Sequence, residues 1–137
     1  MPTIFRMDRE RGFVHAVTRG ATSSDDMITN IASLVDHPSF TPGLRVLLDM
    51  REVVPSLHRP DVLDIATYVK SQGEKLRDLR LAVVVTRDSS FGMAHEQKAA
   101  LAGSLMEMEV FRDVGAALEW LGVSEDGDTE RTDADAG

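Results

Sequence analysis

The sequence contains no cysteine. That excludes disulfide frameworks, thiol nucleophiles and thiolate zinc sites together, and leaves the redox compartment open. Aromatic residues make up only 5%, with a single tryptophan and a single tyrosine. Lysine is scarce as well, because arginine supplies twelve of the fifteen basic residues, a bias that fits a GC-rich bacterial genome. No apolar run is long enough to span a bilayer, and Met1 to Asp8 hold no stretch of signal-peptide length, so a cytoplasmic location is expected. No basic cluster occurs either, which argues against nucleic acid as a partner.

What is present is enough for one domain. A chain of 137 residues buries roughly two-thirds of the surface its unfolded form exposes and needs no disulfide or metal for stability. The net charge of −8 is uneven: residues 124–137 carry six acids and one arginine, a net of −5. Without large apolar residues that segment cannot offset its own ordering entropy, so residues 1–122 are expected to form the domain and 123–137 a disordered, solubilising acidic tail.

The organising stretch is Leu44 to Asp49, Leu-Arg-Val-Leu-Leu-Asp, entered from a Pro-Gly turn. Apolar residues on both alternations predict a strand covered on two faces. Leu81 to Thr86 has the same character and follows a helical segment, giving a strand-helix-strand unit. Upstream, Thr3 to Asp8 and Phe13 to Thr18 flank a polar turn ending in Gly12 and predict an antiparallel hairpin. Ser23 or Ser24 offers an N-cap for a helix whose Met27, Ile28, Ile31, Leu34 and Val35 recur at helical spacing, stopping at His37-Pro38. After Asp49 a polar loop leads to Pro60, the first residue of a second helix with Val62, Ile65, Ala66, Val69 and Leu76 inward and Gly73 where it frays. The stretch from Arg87 to Gly92 reads as a loop with capping groups for a third helix from about Met93 to Leu105. Small residues in that helix, Ala94, Ala99, Ala100, Ala102 and Gly103, allow close packing or leave room beside it for a ligand. A short strand-like alternation, Glu107 to Phe111, precedes a last helix capped by Asp113. The whole is an α/β single domain, a mixed and mostly parallel sheet with flanking helices, in the pattern ββαβαβα, its parallel steps right-handed crossovers.

The run Val110-Phe111-Arg112-Asp113-Val114-Gly115-Ala116-Ala117-Leu118-Glu119-Trp120-Leu121-Gly122 resembles the closing strand and helix of the SpoIIAA-like family, small bacterial domains of the STAS superfamily. Val46-Leu47-Leu48-Asp49-Met50-Arg51 and Phe91-Gly92-Met93-Ala94 are similar to its internal segments. The resemblance implies a STAS-like mixed sheet. The wider superfamily includes phosphorylatable anti-sigma-factor antagonists, whose serine lies in an Asp-Ser-Ser-Gly-like motif after the strand equivalent to Leu44–Asp49. Here that interval holds a lone Ser56, and Asp88-Ser89-Ser90 comes one strand later, where helix capping accounts for it.

Enzyme motifs are missing from this sequence. His15, His37, His58 and His95 are scattered, and His95-Glu96 lacks the second histidine of a zinc helix. No Gly-x-Ser-x-Gly elbow and no phosphate-binding glycine loop occur. The expectation is therefore no enzyme, no metal and no cofactor. Two roles stay open: a regulatory interaction module docking a protein partner or a second copy of itself, or a carrier or sensor of a small anionic or amphiphilic, lipid-like ligand, with methionines lining its pocket. Arg51, Arg87 and Arg112 each lie close to the predicted end of an internal strand, and with Ser89 and Ser90 they could form a shallow rim site for an anion. The alternative pairs each arginine with its neighbour, Glu52, Asp88 or Asp113. Exposed faces of Trp120 and Phe91 would indicate docking; a large apolar cavity would indicate a ligand.

Overall fold

The computed structural model describes residues 3–54 and 56–123, so the acidic tail from 124 onward lies outside the described residues. β1 (Thr3–Asp8) and β2 (Phe13–Ala21) form the expected antiparallel hairpin, Thr3 opposite Thr18 and Asp8 opposite Phe13. Gly12 closes the turn at φ +58°, a conformation that glycine adopts without a Cβ penalty. β3 (Arg45–Val54), β4 (Arg80–Val84) and β5 (Glu107–Phe111) follow in parallel, giving one sheet in the order β1-β2-β3-β4-β5.

The crossovers are α1 (Ser24–Val35), α2 (Arg59–Gln72) and α3 (Asp88–Ala100), and α4 (Val114–Leu121) follows β5. The element order is ββαβαβαβα, one strand-helix unit longer than the expected pattern, because the alternation at Glu107–Phe111 pairs fully with β4 as an edge strand. Parallel strands laid down in sequence order, with crossovers of one hand, must carry every crossover helix on the same face. So they do: α1, α2 and α3 share one face, and α4 folds back across β3, β4 and β5 on the other. No helix among the described residues is long and apolar enough to cross a membrane.

The central strand is buried on both faces as its sequence requires. Val46 and Leu48 turn toward the three-helix side, while Leu47 joins Phe13, Ala82 and Val84 beneath Ala117, Leu118 and Leu121 of α4. α4 is fixed at both ends. Asp113 accepts the Ala116 N–H at 2.9 Å, and Gly122 ends the helix in the left-handed region at φ +74°. Arg45 ties this end to the hairpin: its guanidinium donates to the Leu121 carbonyl at 3.1 Å and to the Arg11 carbonyl at 3.1 Å.

Several element boundaries differ from the sequence reading, among them β4, which ends at Val84 and not at Thr86. β2 and β3 run on past Thr18 and Asp49 as a paired ribbon, after a register shift between Val17 and Arg19 that puts Arg19 opposite Glu52 and Ala21 opposite Val54. The polar residues that read as loop are the solvent side of that ribbon, and Arg19 and Glu52 pair across it at 3.2 Å. α3 begins at Asp88, not near Met93, and ends at Ala100. Tertiary packing overrides the loop preference of Ser89, Ser90 and Gly92. The N-cap position falls on Arg87, whose side chain makes no cap bond, so the capping role expected of Asp88 and the serines is not what they do.

Candidate ligand cavity

The first two crossover helices are fixed at their starts. Ser23 Oγ accepts the Asp26 N–H at 3.1 Å while the Asp26 carboxylate accepts the Ser23 N–H at 3.2 Å, a reciprocal cap on α1. In α2, Pro60 sits in the first turn and the Asp61 carboxylate accepts the His58 N–H at 2.8 Å. α3 is fastened to α2 by Gln97, whose Nε2 donates to the Val62 carbonyl at 3.2 Å, and by an Arg59–Glu96 ion pair at 3.4 Å. The helices thus form a continuous layer.

The α1 and α2 part of that layer stands off the sheet. The backbone of α4 packs directly on β3, β4 and β5 and that of α3 approaches β5, whereas α1 and α2 make their closest backbone approaches to neighbouring helices. In consequence no apolar side chain of α1 is fully buried and α3 buries none at all, although both have apolar residues facing the sheet. The space left between is a cavity of about 350 Å³, within the range of small-molecule sites. Five of the seven methionines, Met27, Met50, Met93, Met106 and Met108, line it. Ala94 of α3 faces it too and leaves room on that side, while Ala99 and Ala102 are exposed.

The cavity is graded along the strands. At the end where the parallel strands start it is closed by Leu76, Leu79 and Leu101, all at most 5% exposed. At the opposite, C-terminal end of β3 and β4, its wall includes the exposed residues His58 and Ser89, together with Ser56, Ser90, Thr3 and Asn30. Several of these are committed. Ser56 accepts the Thr22 N–H at 3.2 Å and donates to the Thr22 carbonyl at 2.7 Å, clamping the end of β2 to the approach to α2. Thr3 bonds the Thr18 hydroxyl and the Asn30 side-chain amide. Ser89 and Ser90 have no hydrogen-bond partner for their hydroxyls among the described residues, and beside Ser56 the buried Thr22 Oγ1 also has none.

The arginines expected to share one rim are divided between the two faces. Because Met50 lines the cavity, its neighbour Arg51 turns to the α4 side and grips Asp49 with two bonds, 3.0 and 2.8 Å. Burial acts to raise the Asp49 carboxyl, but the Arg51 guanidinium and backbone N–H outweigh it and hold the group below its ordinary value. Arg112 reaches the start of α3, donating to the Thr86 carbonyl at 3.2 Å and to Asp88 at 2.9 Å, with its guanidinium 4.2 Å from the centre of the Phe91 ring. Arg87 is exposed one residue before Asp88. The structure thus gathers Arg87, Arg112, Ser89 and Ser90 at one helix start and leaves Arg51 apart. The pairings are Arg51–Asp49 and Arg112–Asp88, while Glu52 goes to Arg19 and Asp113 caps α4.

The two large aromatics are covered. Trp120 is half-buried under Arg80, 4.5 Å from its ring, and Phe91 lies between Arg112 and His95. The wall residues Thr3, Asn30 and His58 carry no sequence signal for a site, being ordinary strand, helix and cap positions. The methionines and the small residues of α3 were the only visible hints. Among the described residues no three His, Asp or Glu side chains gather as a metal site would need.

No protein-family model matches this chain, and no curated protein does. A solved structure does match: an uncharacterised protein of the DUF3478 family from Shewanella loihica PV-4, described as having a SpoIIAA-like fold. The two share 18% identity at a TM-score of 0.57, over 88% of this chain and 94% of that one. An identity this low speaks to architecture alone, and together with the mixed five-stranded sheet it establishes that the chain has a SpoIIAA-like fold.

Proposed function

We propose that this domain is a non-catalytic carrier or sensor of a small apolar molecule, held between the three-helix layer and the sheet. The observation that carries this reading is the cavity of about 350 Å³, walled in part by apolar side chains of α1 and α3 that meet the sheet side without being fully buried. An apolar surface kept from close packing costs stability, because its atoms forgo dispersion contacts on one side. A ligand restores those contacts. Flexible, polarisable methionines suit a wall that must adapt to its occupant. The composition fits a cytoplasmic bacterial protein. The docking alternative has less to stand on, since Trp120 and Phe91 are capped by arginines and the exposed Ile4, Val54, Leu63 and Leu105 lie on three different elements and a loop. In this reading Arg51 and Arg112 are ion-pair partners, Arg87 is an exposed residue beside Asp88, and the three are not an anion site.

The test is a fluorescence titration with N-phenyl-1-naphthylamine, an uncharged probe that brightens in apolar surroundings. Saturable enhancement is expected, reduced at least tenfold in affinity by Ala94→Phe, which fills the cavity, and unchanged by Arg112→Gln. Absence of saturable uptake by the folded wild-type chain would remove the proposal.

A further inference from the structure

Resting on the cavity reading just given, we infer that the natural occupant is a neutral, single-chain amphiphile, such as a fatty alcohol or monoacylglycerol, held with its chain inward and its hydroxyl head at Ser89 and Ser90. Three features of the wall select this class.

The first is charge. The cavity wall contains no aspartate, glutamate, lysine or arginine. An ionised carboxylate drawn inside past His58, the wall's one histidine, at the mouth, would lose its hydration and meet no lysine or arginine, at a cost of several kcal/mol.

The second is the state of the mouth. Positive helix N-termini would ordinarily welcome an anionic head. Here those positions are taken: Asp61 occupies the first turn of α2 and Asp88 that of α3. The neighbouring cations are occupied as well, Arg59 by Glu96 at 3.4 Å and Arg112 by Asp88 at 2.9 Å. Arg87, which has no ion-pair partner among the described residues, lies outside the wall, as Asp61 and Asp88 do.

The third is the gradient of polarity. The hydroxyls of Ser89 and Ser90 have no protein partner among the described residues. Hydroxyls both donate and accept, and so match an alcohol in both directions, whereas a carboxylate only accepts. Beyond these serines the wall is apolar as far as Leu76, Leu79 and Leu101 apart from Gln97, whose amide donates to the Val62 carbonyl. From Val85 back to Leu79 the strand covers about 20 Å, and about 350 Å³ along that length has room for one hydrocarbon chain.

The experiment displaces N-phenyl-1-naphthylamine from the full chain with 1-tetradecanol, 1-monomyristoylglycerol and sodium tetradecanoate at pH 8, each below its aggregation limit. The neutral pair should compete at least tenfold more tightly than the carboxylate, and Ser89→Ala/Ser90→Ala should weaken the neutral pair severalfold while leaving the hydroxyl-free probe unaffected. Tetradecanoate competing as well as or better than the alcohol would overturn the inference and leave the cavity reading standing. Neutral ligands that bind the double variant as tightly as the wild type would overturn the placement of the head. Failure of the probe itself to bind would instead overturn the proposed function beneath it.

Discussion

Arg45 shows how one side chain joins parts of the chain that are distant in sequence. Its planar fork satisfies the last carbonyls of α4 and the Arg11 carbonyl of the hairpin turn, two ends that no backbone ladder connects. Arg45→Ala should cost about 1–3 kcal/mol in urea denaturation, since charged donors serve backbone groups that are otherwise left open. Arg45→Lys should recover little, because a single ammonium cannot reproduce the fork; an unchanged midpoint in Arg45→Ala would contradict this role. Asp49 has a pH-dependent role. Its carboxyl is held below its ordinary value in the folded state, so the stability it contributes is fully present above the unfolded value of about 3.9 and is lost as the pH falls through the folded value. Asp49→Asn should therefore be less stable than the wild type at neutral pH, by on the order of 1 kcal/mol or less given the exposed partner, and the two should converge in acid. A gap that persists unchanged at pH 2 would rule out the linkage.

At the scale of elements, the same kind of substitution should have opposite signs on the two faces of the sheet. Ala117 on α4 has no exposed surface and sits on Leu47, Ala82 and Val84. Ala117→Leu should overpack that face and destabilise by about 1–3 kcal/mol. Ala94 on α3 faces open space instead, so Ala94→Leu should be neutral or stabilising by up to about 2 kcal/mol. Thermal melts of the two variants decide it, and equal destabilisation would mean that the three-helix layer is closed in solution. The contrast also marks what the sequence could convey. The hairpin, the Ser23 cap, Pro60 and the Asp113 cap were readable because each rests on local chemistry: a glycine turn, a hydroxyl acceptor, a fixed φ, a carboxylate at a helix start. The early start of α3 was hidden by Ser89, Ser90 and Gly92, whose loop preference gives way to packing. The β2–β3 extension was hidden because Arg19 and Glu52 pair across strands at a separation that no local pattern encodes. The cavity was hidden for a deeper reason: helical periodicity tells which side of α1 or α3 faces the sheet, and says nothing about how far away the sheet is.

For the whole molecule, the result is a sheet with one dense side and one hollow side. Local opening is easiest where buried apolar contacts are fewest. The amides of α4 and the central strands should accordingly exchange slowest with solvent deuterium, and those of α1 and α3 earlier. A ligand seated in the hollow side binds the native state and not the unfolded chain, so at a hundredfold excess over its dissociation constant it should add about 2.7 kcal/mol, a rise of roughly 10 °C in the melting midpoint. The same binding should slow exchange in α1, α2 and α3 and leave α4 almost unaltered, because α4 already has its contacts. Exchange measured by mass spectrometry with and without 1-tetradecanol tests both statements at once. Protection concentrated on α4, or on the exposed β1 edge, would place the ligand outside the cavity; protection confined to the three-helix layer is the outcome that its unfilled contacts require.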